Sequence, residues 1–452
     1  MKTWHMAFSM IKIALPLMGG LTAQAAVQII DTVMLGHYSI EALAAGVVAT
    51  SVLFLLITVG SGIASAVLAL SSSQTQHMRS VTLSAALGLT VIFSAVIYIG
   101  MYYSESILLL LGQDSAIATG AKEYLHLAGL GLLPALMTMV LRSHATAIER
   151  PNIVLWVSLA ALPLNALLNW IFIFGYLGAP EMGIEGAALA TFMTHSVSLA
   201  LTLVYIRIID ASALSLLFSY DVKSIIRVIN LSWPIALTNL AELGMFTVST
   251  LIVGSLGEIP VAAHGIVVQI TSAAFIVHLA ISQVATVKSG QAYALSESST
   301  IRLIGKVASG LSMSAVIVTT GIFVLLPESL VSLFIQTHDS QFQQIQNLAA
   351  MVLVIAALSQ LVDAMQVIAM GLLRGFQDTR TPMVIAISSY WCIAVPAAYI
   401  LGKTLEYGVL GVWFGITIGL IGAAGTLWIR FYLLTRGTTF EGLSKIKPLE
   451  LQ

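Results

Sequence analysis

Apolar runs of membrane-crossing length, broken by short polar punctuation, fill the chain from one end to the other. A membrane helix needs about 20 largely apolar residues, and reading the chain that way predicts twelve spans. They lie at about 8–35, 42–71, 81–103, 120–148, 152–176, 185–209, 226–256, 260–288, 303–327, 342–373, 381–402 and 408–436. The runs are too long for barrel strands, so the pattern predicts an all-α polytopic membrane protein. The first run, in "MKTWHMAFSMIKIALPLMGG", starts positive and continues past a signal-peptide core without a clean cleavage site. It therefore reads as the first membrane helix and not as a leader.

Composition agrees with the pattern. The chain of 452 residues is 58% hydrophobic and 9% charged, against about 25% charged in soluble domains. The only cysteine, Cys392, excludes an internal disulfide framework and a Cys-rich metal site. A net charge of -1 argues against a nucleic-acid partner. Charge placement adds orientation. With both termini on one side, all of the 19 lysines and arginines except Lys122 and Lys403 fall on that side. By the positive-inside rule the termini are expected to be cytoplasmic.

A repeat organises the spans. "ALPLMGGLTAQAAVQIIDTVMLGHYSIEALAAGVV", from Ala14, aligns with "SWPIALTNLAELGMFTVSTLIVGSLGEIPVAAHGI", from Ser232. Pro16 falls on Pro234, Gln24 on Glu242, Asp31 on Ser249 and Gly36 on Gly254. Further on, "RSHATAIERP" resembles "RGFQDTRTP", and "MGIEGAALAT" resembles "YGVLGVWFGIT". Two six-helix lobes follow, an N-lobe at 1–209 and a C-lobe at 226–436, with a linker at 210–225 and a tail at 437–452. Six is even, so both lobes run the same way through the membrane. Parallel repeats with sites at their interface are a transporter layout. Pro16 and Pro234 stand at matching places in the two leading helices, where the missing hydrogen bond permits bending.

Charge inside the spans is the candidate chemistry. Of the 20 acidic residues, 17 fall in loops or at helix ends, and the three inside spans are Asp31, Glu242 and Asp363. A charge at mid-span costs about 2.5–3.5 kcal/mol on insertion scales, so such residues face an interior or an aqueous cavity. No lysine or arginine stands in the span centres to pair with them. An unpaired buried carboxylate takes up a proton or holds a cation, which is the chemistry of cation-coupled transport. For Asp31, near an external span end, a residue capping a break before Gly36 is the other reading. Asn165 and Asn169 lie four apart on one helical face. They share a proton or ion with Asp31 if the fifth span packs on the first; otherwise they are interhelical glue. Asn239 and Thr238 lie near Glu242, and Ser359, Gln360 and Gln366 near Asp363. Gln24 is Glu242's counterpart in the repeat. His278, deep in the eighth span, is either a titratable contact or a hydrogen-bonded structural residue, and His195 is a weaker case.

Several functions lack their residues. No G-x-x-x-x-G-K-[ST] loop is present for ATP hydrolysis. No H-E-x-x-H zinc motif or G-x-S-x-G nucleophile elbow appears either, so an enzyme is not expected. GxxxG-like glycine spacings are common in packed bundles and say little about function.

"ALPLMGGLTAQAAVQIIDTVMLGHYS", "RPNIVLWVSLAALPLNALLNWIFIFGYLGAPEMGIEGAALAT", "LAELGMFTVSTLIVGSLGEIPVAAH" and "DAMQVIAMGLLRGFQDTRTPM" together resemble the multidrug and toxic compound extrusion (MATE) family, in its bacterial NorM-type branch. The resemblance implies two lobes around a central cavity and export of amphipathic, often cationic, drugs by alternating access. It makes Asp31 the N-lobe acid with Asn165 and Asn169 as companions, and Pro16 the bending proline. It links Glu242 and Asp363 to sodium. Phe275 and Ser359 stand where some relatives have tyrosine, and His278 where close relatives tend to have proline, which puts a sodium site in the C-lobe in question and keeps proton coupling open.

The expectation is an antiporter of the bacterial inner membrane, active as a monomer in the lipid bilayer. It exchanges Na+ or H+ for drug-like organic cations and needs no cofactor beyond that ion. The alternative is a flippase for lipid-linked sugars, which should carry basic cavity residues for phosphate.

Overall fold

Among the residues that the computed structural model describes, 2–215, 221–334 and 341–436, the chain is helical with no β-strand. The helices are α1 (Lys2–Tyr38), α2 (Ile40–Ser73), α3 (Gln76–Tyr102), α4 (Ser104–Leu110), α5 (Ser115–Leu130), α6 (Leu132–Ala147), α7 (Asn152–Phe174), α8 (Gly183–Ile209) and α9 (Ala211–Ser215). There follow α10 (Val222–Gly254), α11 (Glu258–Ala294), α12 (Ser298–Leu325), α13 (Pro327–Ser332), α14 (Phe342–Gly375), α15 (Arg380–Ile387), α16 (Val395–Tyr399) and α17 (Gly408–Thr435). Eleven elements are long and apolar enough to cross a membrane, and α5 with α6 makes a twelfth, bent by 45°. The twelve predicted spans are thus all present. The tail expected at 437–452 lies outside the described residues.

Local chemistry sets the breaks. Ser39, with an extended backbone, ends α1 and caps α2 by accepting from the Ala42 N–H at 3.0 Å. Gly175 ends α7 in the left-handed region at φ 73°. The bend at Gly131 was not expected from the apolar pattern. Pro134 has no N–H to offer the Leu130 carbonyl, so the helix breaks there and restarts. The eleventh span, Arg380–Thr404, winds through π-helical turns at Ser388–Ala394, between α15 and α16, and at Ile400–Thr404, after α16. Pro16 and Pro234 sit inside α1 and α10, each a single unbroken helix.

Packing divides the chain into two compact units. One is Leu15–Ala236; the other holds the residues up to Ala14 together with those from Leu237 onward. The divisions cut α1 and α10 within a few residues of Pro16 and Pro234.

In the first unit, alanines and one large ring make the core. Ala118, Ala121, Tyr124, Leu125 and Ala128 of α5 meet Ala42, Ala49 and Leu53 of α2 and Ala187 and Ala188 of α8. Small side chains let membrane helices approach closely, where lipid gives no hydrophobic drive. The second unit uses hydroxyls as well. Ser282 Oγ of α11 donates to the Val367 carbonyl at 2.6 Å, and Thr286 Oγ1 to the Gly371 carbonyl at 2.9 Å. These bonds fix α14, and with it Asp363, against α11.

Candidate cation sites

In the first unit Asp31 is only 6% exposed, which removes the interfacial reading of this residue. The fold packs its helix α1 against α7 and α8 at the carboxylate. Asn169 Nδ2 donates to Asp31 Oδ1 at 2.6 Å and to Asn165 Oδ1 at 3.2 Å. The amide nitrogen faces the acid because a carboxylate only accepts. Thr191 Oγ1 donates to Asp31 Oδ2 at 3.5 Å, and the Tyr124 hydroxyl lies 3.5 Å from Thr191 Oγ1. The structure therefore brings Asp31, Asn165 and Asn169 together and adds Thr191 and Tyr124. Asn169 Oδ1 is buried there with no hydrogen-bond partner among the described residues. An orphaned acceptor beside a carboxylate, with further hydroxyl and amide oxygens, suits a hard cation or a shared proton. Ser249, Asp31's counterpart in the repeat, buries its hydroxyl without a partner among the described residues.

One consequence concerns stability. Asn169→Ala removes the charge-assisted donor from a sealed carboxylate, a loss of about 1.5–3 kcal/mol. A lower thermal-unfolding midpoint in detergent at neutral pH is expected, read by tryptophan fluorescence.

In the second unit Glu242 of α10 and Asp363 of α14 lie close enough for the charge of one to act on the other. Both are partly exposed inside the unit. Asp363 Oδ1 is sealed and has no partner among the described residues. Tyr390, in the π-helical turn of the eleventh span, feels both acids and accepts from Gln366 Nε2 at 2.5 Å. Widened π turns recur at functional sites because they re-aim side chains within a helix.

One expectation needs correction. The sequence leaves the acids without a basic neighbour at the span centres, since Arg374 falls one residue past the predicted span 342–373. Helix α14 continues to Gly375, and the Arg374 guanidinium acts on Glu242 and donates to Asn239 Oδ1 at 3.5 Å. A long stem lets a cation at a helix end reach well away from its own Cα.

The remaining candidates go elsewhere. Ser359 Oγ pairs with Thr417 Oγ1 at 2.5 Å. Gln360 donates to the Thr271 carbonyl at 3.0 Å and accepts from Thr319 at 3.5 Å. His278 Nδ1 meets Ser312 Oγ at 2.8 Å, leaving Nε2 buried without a partner among the described residues. Phe275 is partly buried on α11, and Gln24 is exposed on α1. Among the described residues none of these five hydrogen-bonds to an acid, and of the auxiliary set only Asn239 reaches the group, through Arg374.

The model of the MatE family matches residues 16–171 and 234–400, one segment in each half of the repeat. The probable multidrug resistance protein NorM of Rhizobium meliloti (strain 1021) is 36% identical over 434 residues, 94% of this chain and 92% of that protein. The multidrug resistance protein NorM of Burkholderia vietnamiensis is 32% identical over 439 residues, 94% and 93% of the two chains. Among solved structures, a MATE transporter of Vibrio cholerae superposes with a TM-score of 0.88 over 97% of this chain and 99% of that one, at 18% identity. An outward-facing multidrug resistance MATE transporter gives 0.87 over 97% of each chain, also at 18% identity.

Proposed function

Since the chain belongs to the MatE family, we propose that it is a secondary active multidrug efflux transporter that exchanges Na+ or H+ for amphipathic organic cations. The observation that carries the coupling is the set of sealed, unsatisfied oxygens on or beside acids: Asn169 Oδ1 next to Asp31, and Asp363 Oδ1 near Glu242. Cations entering from outside occupy these acids, and occupancy favours the lobe shape that releases drug outward. A bound ion shifts that equilibrium only through its different affinity for the two shapes. The names of the NorM relatives support drugs as cargo. The cations, all but Lys122 and Lys403 on the terminal side, support an inner-membrane protein with cytoplasmic termini.

Proteoliposomes loaded with a fluorescent organic cation test this reading. An inward Na+ gradient or an inward proton gradient is expected to speed dye efflux, and the effective gradient identifies the ion. Efflux that proceeds equally fast with neither gradient overturns coupled antiport.

A further inference from the structure

The junction of α12 and α17 in the second unit gathers cations that the candidate sites do not use. A Cβ on Gly305 of α12 would lie 3.0 Å from Phe431 Cζ of α17, and Arg302 Nη1 donates to the Thr435 carbonyl at 2.8 Å. A step back along α12 thus matches a step forward along α17, so the two helices run antiparallel here. Arg302 and Lys306, one turn apart, stand to one side of the Gly305 contact. In an antiparallel pair Tyr432 and Arg436, also one turn apart, stand to that same side of Phe431. All four of these residues are exposed.

The two guanidiniums are held in place but not neutralised. Arg302 is fixed by the carbonyl at the end of α17. Arg436 lies 4.3 Å over the Tyr432 ring, and its Nη2 donates to the Tyr432 hydroxyl at 2.8 Å. Neither of them, nor Lys306, forms an ion pair among the described residues. Of the acids at this end, Asp378 accepts from Arg430 Nε at 3.0 Å, and Glu297 accepts from the Thr300 hydroxyl at 2.6 Å. Cations therefore outnumber free acids at the junction. The first unit closes the matching place differently. Counting from the aligned Gly183 and Gly408, Thr435 falls on Asp210. That acid meets His144 Nε2 at 3.2 Å and accepts from Ser212 at 2.6 Å. The positive-inside rule explains a cationic side, but not fixed guanidiniums at one of two equivalent junctions and an acid at the other.

Toward the span centre the same surface turns apolar. Ile429, Tyr432, Leu433 and Arg436 share one exposed face of α17, with the cation at its end. An apolar stripe that ends in cations at the edge of a span matches the layout of a phospholipid, a chain beneath a charged head. A guanidinium presents its N–H donors in a planar fork that fits two phosphate oxygens, and an ammonium adds a point charge. We propose that the α12–α17 junction binds an anionic phospholipid, its phosphate between Arg302, Lys306 and Arg436 and an acyl chain along Ile429 and Leu433. That the lipid belongs to the cytoplasmic leaflet rests on the orientation given above; the site itself does not.

Native mass spectrometry of the purified full-length chain tests this, with micelles that hold equal amounts of phosphatidylglycerol and phosphatidylcholine of the same acyl chains. The unaltered protein is expected to retain phosphatidylglycerol in preference. Arg302→Gln with Arg436→Gln, which keeps a donor for the Thr435 carbonyl, is expected to lower the bound ratio of the two lipids by about ten- to thirtyfold. Lys306→Gln added to that pair should lower it further. Lys2→Gln with Lys12→Gln removes the same charge from exposed positions on α1 and should leave the ratio unchanged. An equal loss in that control, or no loss in the Arg302 and Arg436 pair, overturns the site. So does a ratio of one for the unaltered protein, even if the variants do not fold. Displacement of phosphatidylglycerol by an equimolar amount of inorganic phosphate overturns a lipid as the occupant. Lipid retention needs no ion gradient and no drug, so a failure of coupled export leaves these contrasts readable.

Discussion

Asp31→Asn is expected to abolish gradient-driven efflux while leaving the protein folded. The substitution preserves shape, and the new amide oxygen still accepts from Asn169 Nδ2, which lies 2.6 Å from Oδ1. What disappears is the negative charge, the one property of this pocket that discriminates an arriving cation or proton from its absence. Asn165, Asn169, Thr191 and Tyr124 are all neutral, so no other group of the pocket replaces it. Interactions of a charged group with its hydrogen-bond partners are worth about 1.5–3 kcal/mol each. Losing one such interaction in the coupled state corresponds to about a ten- to hundredfold fall in gradient-driven rate. Proteoliposome efflux with and without a gradient gives the ratio, which should fall to one. The thermal midpoint of Asp31→Asn should not drop, because a buried charge is removed without opening a cavity. Coupling that survives in Asp31→Asn would leave Asp31 a structural acid and move the burden to Glu242 and Asp363. Glu242→Gln and Asp363→Asn, assayed in the same vesicles, separate the contributions of the two units.

The spans and the acids could be read in the chain because both depend on patterns that tertiary packing does not alter. An apolar run of span length has one low-energy solution in a bilayer. A carboxylate within it has few roles, and Asn165 and Asn169 share a face by helix geometry alone. The partners contributed by other helices were harder to see. Thr191 closes the matched motif "MGIEGAALAT" and Tyr124 lies in "AKEYLHLAGL". Neutral hydroxyls are common in membrane helices, and only the packing of α5 and α8 brings these two toward Asp31. Tyr390 was hidden in another way, since π-helical turns leave no apolar signature. Nearness along a helix also misled. Ser359 and Gln360 stand one turn before Asp363 yet bond to Thr417 and to Thr271 and Thr319. Arg374 lies one residue past its predicted span, and linear counting assigns a side chain to its Cα and ignores its reach.

Gly415→Val is expected to prevent folding, and its reason lies in a glycine spacing that carried little weight in the sequence. Gly411, Gly415 and Gly419 stand four apart on one face of α17. A Cβ added to them would overlap Leu401, Ala398 and Ala394 of the eleventh span, respectively. At Gly415 the atoms met are backbone, Ala398 N and Cα and, at 2.6 Å, the Ala397 carbonyl carbon, so no rotamer change makes room. Ordinary overpacking costs about 1–3 kcal/mol, and a backbone collision that forces two helices apart exceeds that range. The loss reaches the candidate site because the displaced span carries Tyr390, which receives its hydrogen bond from Gln366 of α14. Gly425, on the same helix, has nothing within 4 Å of an added Cβ. There Gly425→Ala relieves the glycine penalty of about 0.5–1 kcal/mol and should not lower stability. Size-exclusion profiles and thermal midpoints of the two variants in detergent make the comparison. A monodisperse Gly415→Val protein with an unchanged midpoint would show that α17 and the eleventh span do not approach this closely. A Gly425→Ala protein that melts much lower would place a neighbour where the structure has open space.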